Sequence, residues 1–227
     1  MAAPARARRI AIVDYHKGNL SSVLRSVTEA GGDASVVDDP AAIAAADAVV
    51  VPGVGAFEDA MDYLRASGEA DAILGGVARG VPFLGICLGL HVLFERGDER
   101  THEHAAEDAW AEGLGVLAGS VTRLSSERLK VPHVGWDQIY LTEHGRSCPL
   151  LAGVAEGANV YFTHSYAVSD DVDPAIVATR THYTRSFASG VWRDNVLGVQ
   201  FHPEKSSRTG LAILRNFVGI VERGGVA

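Results

Sequence analysis

The chain has 227 residues, of which 47% are hydrophobic and 21% charged, and its formal net charge is −8. That length is enough for one sizeable core, and an acidic chain without a concentrated Lys/Arg stripe excludes a general nucleic-acid surface and points to a small solute or a protein as partner. No apolar run approaches the roughly 20 residues that cross a bilayer, and the two cysteines, Cys87 and Cys148, lie in unlike contexts, so a reducing cytoplasmic setting without disulfides is expected.

Residues 1–9 include three arginines, but the apolar stretch at 10–13 stops at Asp14 and is too short for a signal sequence. These residues read as a flexible N-terminus to a single domain covering 1–227. Residues 10–13 form the first expected strand. Leu20, Val23, Leu24 and Val27 then recur at helical spacing until Gly31 and Gly32. Short strands follow at 35–37 and 48–51. Two helical faces come next, one from Phe57, Ala60, Met61 and Leu64, the other from Ile73, Leu74 and Val77. The run 81–86 is apolar throughout and reads as a central strand. This alternation predicts an α/β fold with a mostly parallel sheet and helices on both faces.

Residues 97–112 are the most polar segment and read as a surface loop. His102 and His104 flank Glu103 there, and such a cluster in a charged loop is expected to be solvated, with no metal or cofactor. From residue 113 the pattern changes to strands divided by turns, at 116–124, 133–141, 159–168, 175–181, 186–193 and 196–201, which predicts additional antiparallel strands. A last helix buries Leu214, Phe217, Val218 and Val221.

Three motifs carry chemistry. In Gly85-Ile86-Cys87-Leu88-Gly89 a cysteine stands where a strand turns into a helix, and glycines two residues away on each side remove side chains that would collide at such a turn. The thiol is expected to project into solvent at the carboxyl edge of the sheet, where the amino end of a helix favours a thiolate. A buried cysteine in a packing turn is the structural alternative. In Gln200-Phe201-His202-Pro203-Glu204 a strand end delivers an imidazole, with a carboxylate two residues on to orient it. In Pro52-Gly53-Val54-Gly55, directly after a strand, the backbone N–H groups of Gly53 and Val54 can join that of Leu88 in an oxyanion hole, or the loop can be a plain turn.

Together these pieces resemble the class I, triad-type glutamine amidotransferases, over nearly the whole chain from Asp14 to the last helix. Asp14-Tyr15 with Gly18-Asn19-Leu20, the 52–55 loop with Phe57, the stretch Val131-Pro132-His133-Val134-Gly135-Trp136, and His202-Pro203-Glu204-Lys205-Ser206 narrow the likeness to members that feed a separate cyclase. The resemblance implies a flavodoxin-like three-layer fold. It implies hydrolysis of L-glutamine to glutamate and ammonia by Cys87, His202 and Glu204. The ammonia would pass to a (β/α)8 cyclase subunit that makes imidazole glycerol phosphate in histidine biosynthesis, the two chains forming a heterodimer. It further implies that Gly55, His164, Ser165 and Tyr166 lie near glutamine, and Asn19, Trp136, Tyr161 and Lys205 near the partner. One departure stands out: the family usually has glutamine four residues after the nucleophile, where this chain has His91, a shorter and titratable substrate-binding group. The glutaminase of another amidotransferase, such as that of pyridoxal phosphate synthesis, a cysteine hydrolase and a cysteine redox sensor of similar fold are the other readings.

Overall fold

The computed structural model describes residues 8–101 and 110–226. His102, Glu103 and His104 therefore lie outside the described residues, as does most of the flexible terminus expected at 1–9. Among the described residues no helix is long and apolar enough to cross a membrane.

The first half runs β1 (Arg9–Val13), α1 (Leu20–Glu29), β2 (Asp33–Val37), α2 (Pro40–Ala44), β3 (Ala48–Val51), α3 (Phe57–Ser67), α4 (Glu69–Ala78), β4 (Phe83–Ile86) and α5 (Leu88–His91). The short helix α2 was not legible as a helix, although its start follows the usual rules: Pro40 opens it and the Asp39 side chain accepts from the N–H of Ala41. The second half adds β5 (Phe94–Gly97), β6 (Ala111–Glu112), β7 (Leu117–Arg123), β8 (His133–Leu141), β9 (Ala158–His164), β10 (Tyr166–Val168), β11 (Val177–His182), β12 (Ser186–Arg193), β13 (Val196–Val199) and α6 (Ser207–Arg223).

Nine strands form one sheet in the order β2-β1-β3-β4-β13-β12-β11-β8-β9. The strands β2, β1, β3 and β4 are parallel, as expected. Alternate residues of β3 serve opposite faces: Ala48 and Val50 pack with α1 and α6, whereas Val49 and Val51 pack with α3 and α4. Both faces are thus buried, which is why the strand reads as an unbroken apolar run.

The second half adds antiparallel pairings as expected, β8 with β9 and β11, and β12 with β11 and β13, while β13 also lies parallel to β4. One expectation is corrected. The run 159–168 is two strands broken at Ser165: β9 stays in the large sheet, and β10 joins a second sheet of order β10-β7-β5-β6. The polar stretch 97–112 is bounded by two of those strands, β5 and β6, which pair antiparallel.

The parallel β4–β13 pairing is what assembles the site. Val199 stands opposite Ile86, and the N–H of Cys87 donates to the Val199 carbonyl at 2.8 Å. Residues that follow both strands must then emerge side by side at the carboxyl edge, in the crevice where open α/β sheets bind ligands. The glycines of the elbow are fixed by contact. A β-carbon on Gly89 would overlap the carbonyl oxygen of Val51, and one on Gly85 would overlap the carbonyl of Gly89. Gly89→Ala is expected to cost about 2 kcal/mol, as overpacking does, and to lower the melting temperature by roughly 4–8 °C in a chain of this size. Thermal unfolding followed by circular dichroism measures it, and an unchanged midpoint would mean that the β3–α5 contact yields freely.

Candidate active site

Cys87 is the single residue between β4 and α5, and its backbone sits at φ 54° and ψ −107°. Few non-glycine residues adopt positive φ, and those that do cluster at functional sites. The strain is held on both sides: the Cys87 N–H is bonded to β13, and its carbonyl accepts from the N–H groups of Leu90 and His91 at 3.0 and 3.1 Å. Contrary to expectation, the thiol does not project into solvent. Cys87 is only 4% exposed, because the loop after β3 and the 163–166 segment cover it. It forms the floor of a cavity of about 330 Å³.

His202 and Glu204 arrive as expected, by a slightly different backbone. The strand β13 ends at Val199, and Pro203–Lys205 is a turn of 3₁₀ helix, so Glu204 reaches the ring by winding back and not by extended alternation. The Nδ1 of His202 and Oε1 of Glu204 are 2.8 Å apart, with both side chains nearly buried. The main chain of His202 is also tied down: its N–H donates to the Tyr161 carbonyl at 2.9 Å, and its carbonyl accepts from Ser206 Oγ at 2.7 Å.

The Nε2 of His202 is buried and has no well-formed hydrogen bond among the described residues. It faces the Cys87 sulfur, whose influence shows in the electrostatics. Burial pulls the imidazole pKa down, but the Cys87 thiolate, followed by Glu204, outweighs burial and raises it to about 10. The fold therefore favours the protonated imidazole beside the Cys87 sulfur, with the second nitrogen oriented by a carboxylate. Cys148 makes the contrast. It is equally buried, but desolvation pushes its thiol up to about 11 and leaves it inert.

The remaining expected residues fall into two groups. Val54, Gly55, Leu88, His91, His164, Ser165 and Tyr166 all line the cavity above Cys87. Both ring nitrogens of His164 are already engaged, Nδ1 with the Tyr166 carbonyl at 2.7 Å and Nε2 with His133 Nδ1 at 3.1 Å. Burial lowers its pKa to about 3, so it forms a neutral wall. The other group lies outside. Trp136 and Tyr161 meet edge to face at 6.1 Å, and Lys205 Nζ stands 5.7 Å from the Tyr161 ring. Asn19 and Lys205 border a cavity of about 60 Å³ that also touches Gly53, Val54, His202 and Glu204, and the Asn19 side chain caps α1 through the N–H of Ser22.

The 52–55 loop lies beside the nucleophile with Gly53 pressed against the Tyr15 hydroxyl, leaving no room for a side chain there. The Leu88 N–H donates to the Gly53 carbonyl at 3.4 Å. One of the three expected oxyanion donors, the Leu88 N–H, is thus occupied by the loop itself.

Two residues of the site were missed in the sequence. Glu99, inside the stretch read as a polar loop, lines the cavity, and its carboxyl accepts from the Phe57 N–H at 3.0 Å. Gln200, inside the last strand run, is fully buried with its amide nitrogen 3.7 Å from the Cys87 sulfur. An acidic residue among many others gives Glu99 no distinguishing signal. For Gln200 the signal was available: a polar side chain in an otherwise apolar run two residues before the catalytic histidine.

A cysteine on a strained elbow, an imidazole and an orienting carboxylate are the groups that cysteine-dependent acyl transfer uses. The family model for class-I glutamine amidotransferases matches residues 11–220, and the chain belongs to that family. It is 47% identical over 214 residues to a protein of Syntrophotalea carbinolica named imidazole glycerol phosphate synthase subunit HisH, covering 92% of this chain and 98% of the relative. It is 44% identical to the protein of the same name from Moorella thermoacetica, covering 97% and 99%. Among solved structures, the glutaminase domain of CTPS from Trypanosoma brucei with bound acivicin shares the fold at a TM-score of 0.66, with 18% identity and coverage of 97% and 96%.

The causes acting on His202 generate a direct prediction. Its imidazole should titrate near about 10, staying protonated through neutral pH. In Cys87→Ala the midpoint should fall, because the leading upward influence is gone while burial remains. Histidine NMR titration reads both, and equal midpoints in the two proteins would show that the sulfur does not act on the ring.

Proposed function

We propose that the chain is the glutaminase subunit of an imidazole glycerol phosphate synthase, hydrolysing L-glutamine to glutamate and ammonia for a separate (β/α)8 cyclase subunit. The observation that carries the reading is the buried grouping of Cys87, His202 and Glu204, with Cys87 lining the cavity of about 330 Å³. The curated relatives, matched over nearly their full length, supply the particular synthase.

The Cys87 thiolate attacks the carboxamide carbon of glutamine, and the carbonyl π-electrons move to oxygen. When the tetrahedral intermediate collapses, the C–N bond breaks and the His202 imidazolium gives its Nε2 proton to the departing ammonia. Acylation also removes the thiolate charge that held the imidazole protonated. Burial then favours the neutral ring, which is the form needed to take a proton from water as it attacks the γ-glutamyl thioester. Glu204 keeps Nδ1 protonated and the ring aimed throughout. The same electrostatic coupling thus makes His202 an acid in the first half and a base in the second.

Glutamine brings an α-ammonium that needs an anionic partner inside the cavity, and Glu99 is available for it. Burial raises the Glu99 carboxyl to about 7 despite its bond to the Phe57 N–H. A raised carboxyl pKa means protonation, and loss of the ion pair, as pH falls through 7, so KM is expected to rise on the acid side. Glu99→Gln should raise KM about tenfold or more, the value of a hydrogen bond to a charged group, and flatten that dependence. Steady-state kinetics from pH 6 to 8.5 would count against Glu99 if the variant kept the parental KM profile.

Completion of the oxyanion hole requires the Gly53–Val54 peptide to turn, taking the Gly53 carbonyl off the Leu88 N–H and bringing in the Val54 N–H. Glycine makes such a rotation inexpensive. The exposed Trp136, the adjoining Tyr161 and Lys205, and Asn19 near the loop are the surface on which a partner would act. Ammonia release from glutamine is therefore expected to be slow for the isolated chain and to increase by roughly 10²–10³-fold with the cyclase subunit, the value of a restored oxyanion donor. Equal rates with and without the cyclase would overturn the control by partner, and absence of ammonia in both would overturn the glutaminase reading itself.

A further inference from the structure

We infer that Gln200 is a further catalytic residue of this site, its side-chain amide donating to the Cys87 sulfur, and that His91 is the positioning residue that fixes which end of the amide faces the sulfur. The inference rests on Cys87 being the nucleophile proposed above.

Gln200 has no exposed surface, and burying an amide is costly unless both of its ends are bonded. Its main chain is placed by the Gln200 N–H donating to the Ser189 carbonyl at 3.0 Å. Its side chain meets two groups: Oε1 lies 2.7 Å from His91 Nε2, and Nε2 lies 3.7 Å from Cys87 Sγ. In the Nε2–H tautomer the neutral imidazole donates to the carbonyl end of the amide and leaves the NH₂ end for the sulfur, whereas the Nδ1–H tautomer would accept the NH₂ and turn the carbonyl to the sulfur. Burial keeps His91 neutral by lowering its pKa to about 4, and the bond to Gln200 only partly opposes this.

The reverse orientation is unfavourable at the sulfur. The Thr163 carbonyl already lies 3.9 Å from Cys87 Sγ on another side, where it suits a thiol S–H but repels a thiolate. A second carbonyl from Gln200 would add to that repulsion, whereas an N–H offsets it. The thiolate then has donors from two directions, the His202 imidazolium and the Gln200 amide. The amide, unlike the imidazolium, keeps its proton throughout the reaction, so it can hold the sulfur both as attacking thiolate and as leaving group. This also accounts for His91 at a position where the family usually has glutamine: in this chain its Nε2 is committed to Gln200, and its effect on the chemistry runs through that amide.

The test is the rate of iodoacetamide alkylation of Cys87 at pH 7 in the full chain, read by mass spectrometry with Cys148 as internal reference. Gln200→Met removes the donor at similar volume. The rate is expected to fall about tenfold, the lower value for a hydrogen bond to a charged group, and to recover as pH is raised. His91→Leu should give a loss of the same order, while His91→Gln, whose amide can donate to the same carbonyl, should retain most of the parental rate. A Gln200→Met protein with parental near-ultraviolet circular dichroism and parental alkylation at every pH overturns the inference. Should that variant fail to fold, equal rates in His91→Leu and His91→Gln overturn it instead. Alkylation uses no glutamine, so a parent chain that alkylates yet releases no ammonia refutes the glutaminase reading while leaving this result interpretable.

Discussion

The site depends on a steric contact: α5 begins so close to β3 that the Cα of Gly89 rests against the Val51 carbonyl, while Gly85 rests against Gly89. No residue with a β-carbon fits either place. The reversal from strand to helix is therefore compressed into Cys87, which takes up a backbone conformation that costs of the order of 1–3 kcal/mol. That cost is offset by the bond from Cys87 to Val199 on one side and by the first turn of α5 on the other. The same bond to Val199 draws β13 alongside β4, and so brings His202 to the sulfur across a large gap in sequence. Geometry of the elbow and convergence of the triad thus share one cause.

Placing charges in such a buried corner is unfavourable unless each has a partner. The sulfur has the Gln200 amide beside it, the imidazole has Glu204 on Nδ1, and His202 Nε2 and the outer oxygen of Glu204 have no hydrogen-bond partner among the described residues. Cys148 shows what burial does without such company: its thiol is pushed up to about 11. Reactivity in this chain is therefore a property of the surroundings and not of exposure, since both sulfurs are almost completely covered. It also changes during the reaction, because the charge that protonates His202 is the one consumed on acylation.

Much of this was legible in the residues, and the failures have physical reasons. Strands β3 and β8 and the cysteine elbow were read within their observed bounds because a buried apolar run, a period-two pattern and a glycine pair each have one dominant cause. The break at Ser165 was invisible because Tyr166–Val168 continues the same apolar alternation while changing sheets, and which sheet a strand joins is decided by distant partners. The second pairing of β13, parallel to β4 beside its antiparallel one to β12, was not foreseen for the same reason, since pairing direction leaves no mark on a four-residue strand. The placement of the thiol under cover was missed because the covering loops come from residues 52–56 and 163–166, which no local pattern connects. Glu99 became visible only once the cavity gave it neighbours, whereas Gln200, a polar residue in an apolar run, was legible and was passed over.

The triad and the outer surface are linked through main-chain bonds more than through side chains. Tyr161 accepts from the N–H of His202, and its own N–H donates to Ser206 Oγ, which in turn donates to the His202 carbonyl. The tyrosine ring meanwhile points outward beside Trp136 and Lys205. A partner seated there would press on a segment that is already rigidly tied at three bonds, so it would change the imidazole little. The 52–55 loop is held far less firmly: among the described residues its Gly53 carbonyl has only the long 3.4 Å bond to Leu88, and Val54 is 42% exposed. A conformational response to binding should therefore appear in the loop, where moving one peptide costs least, and leave the sulfur, imidazole and carboxylate where the fold has set them.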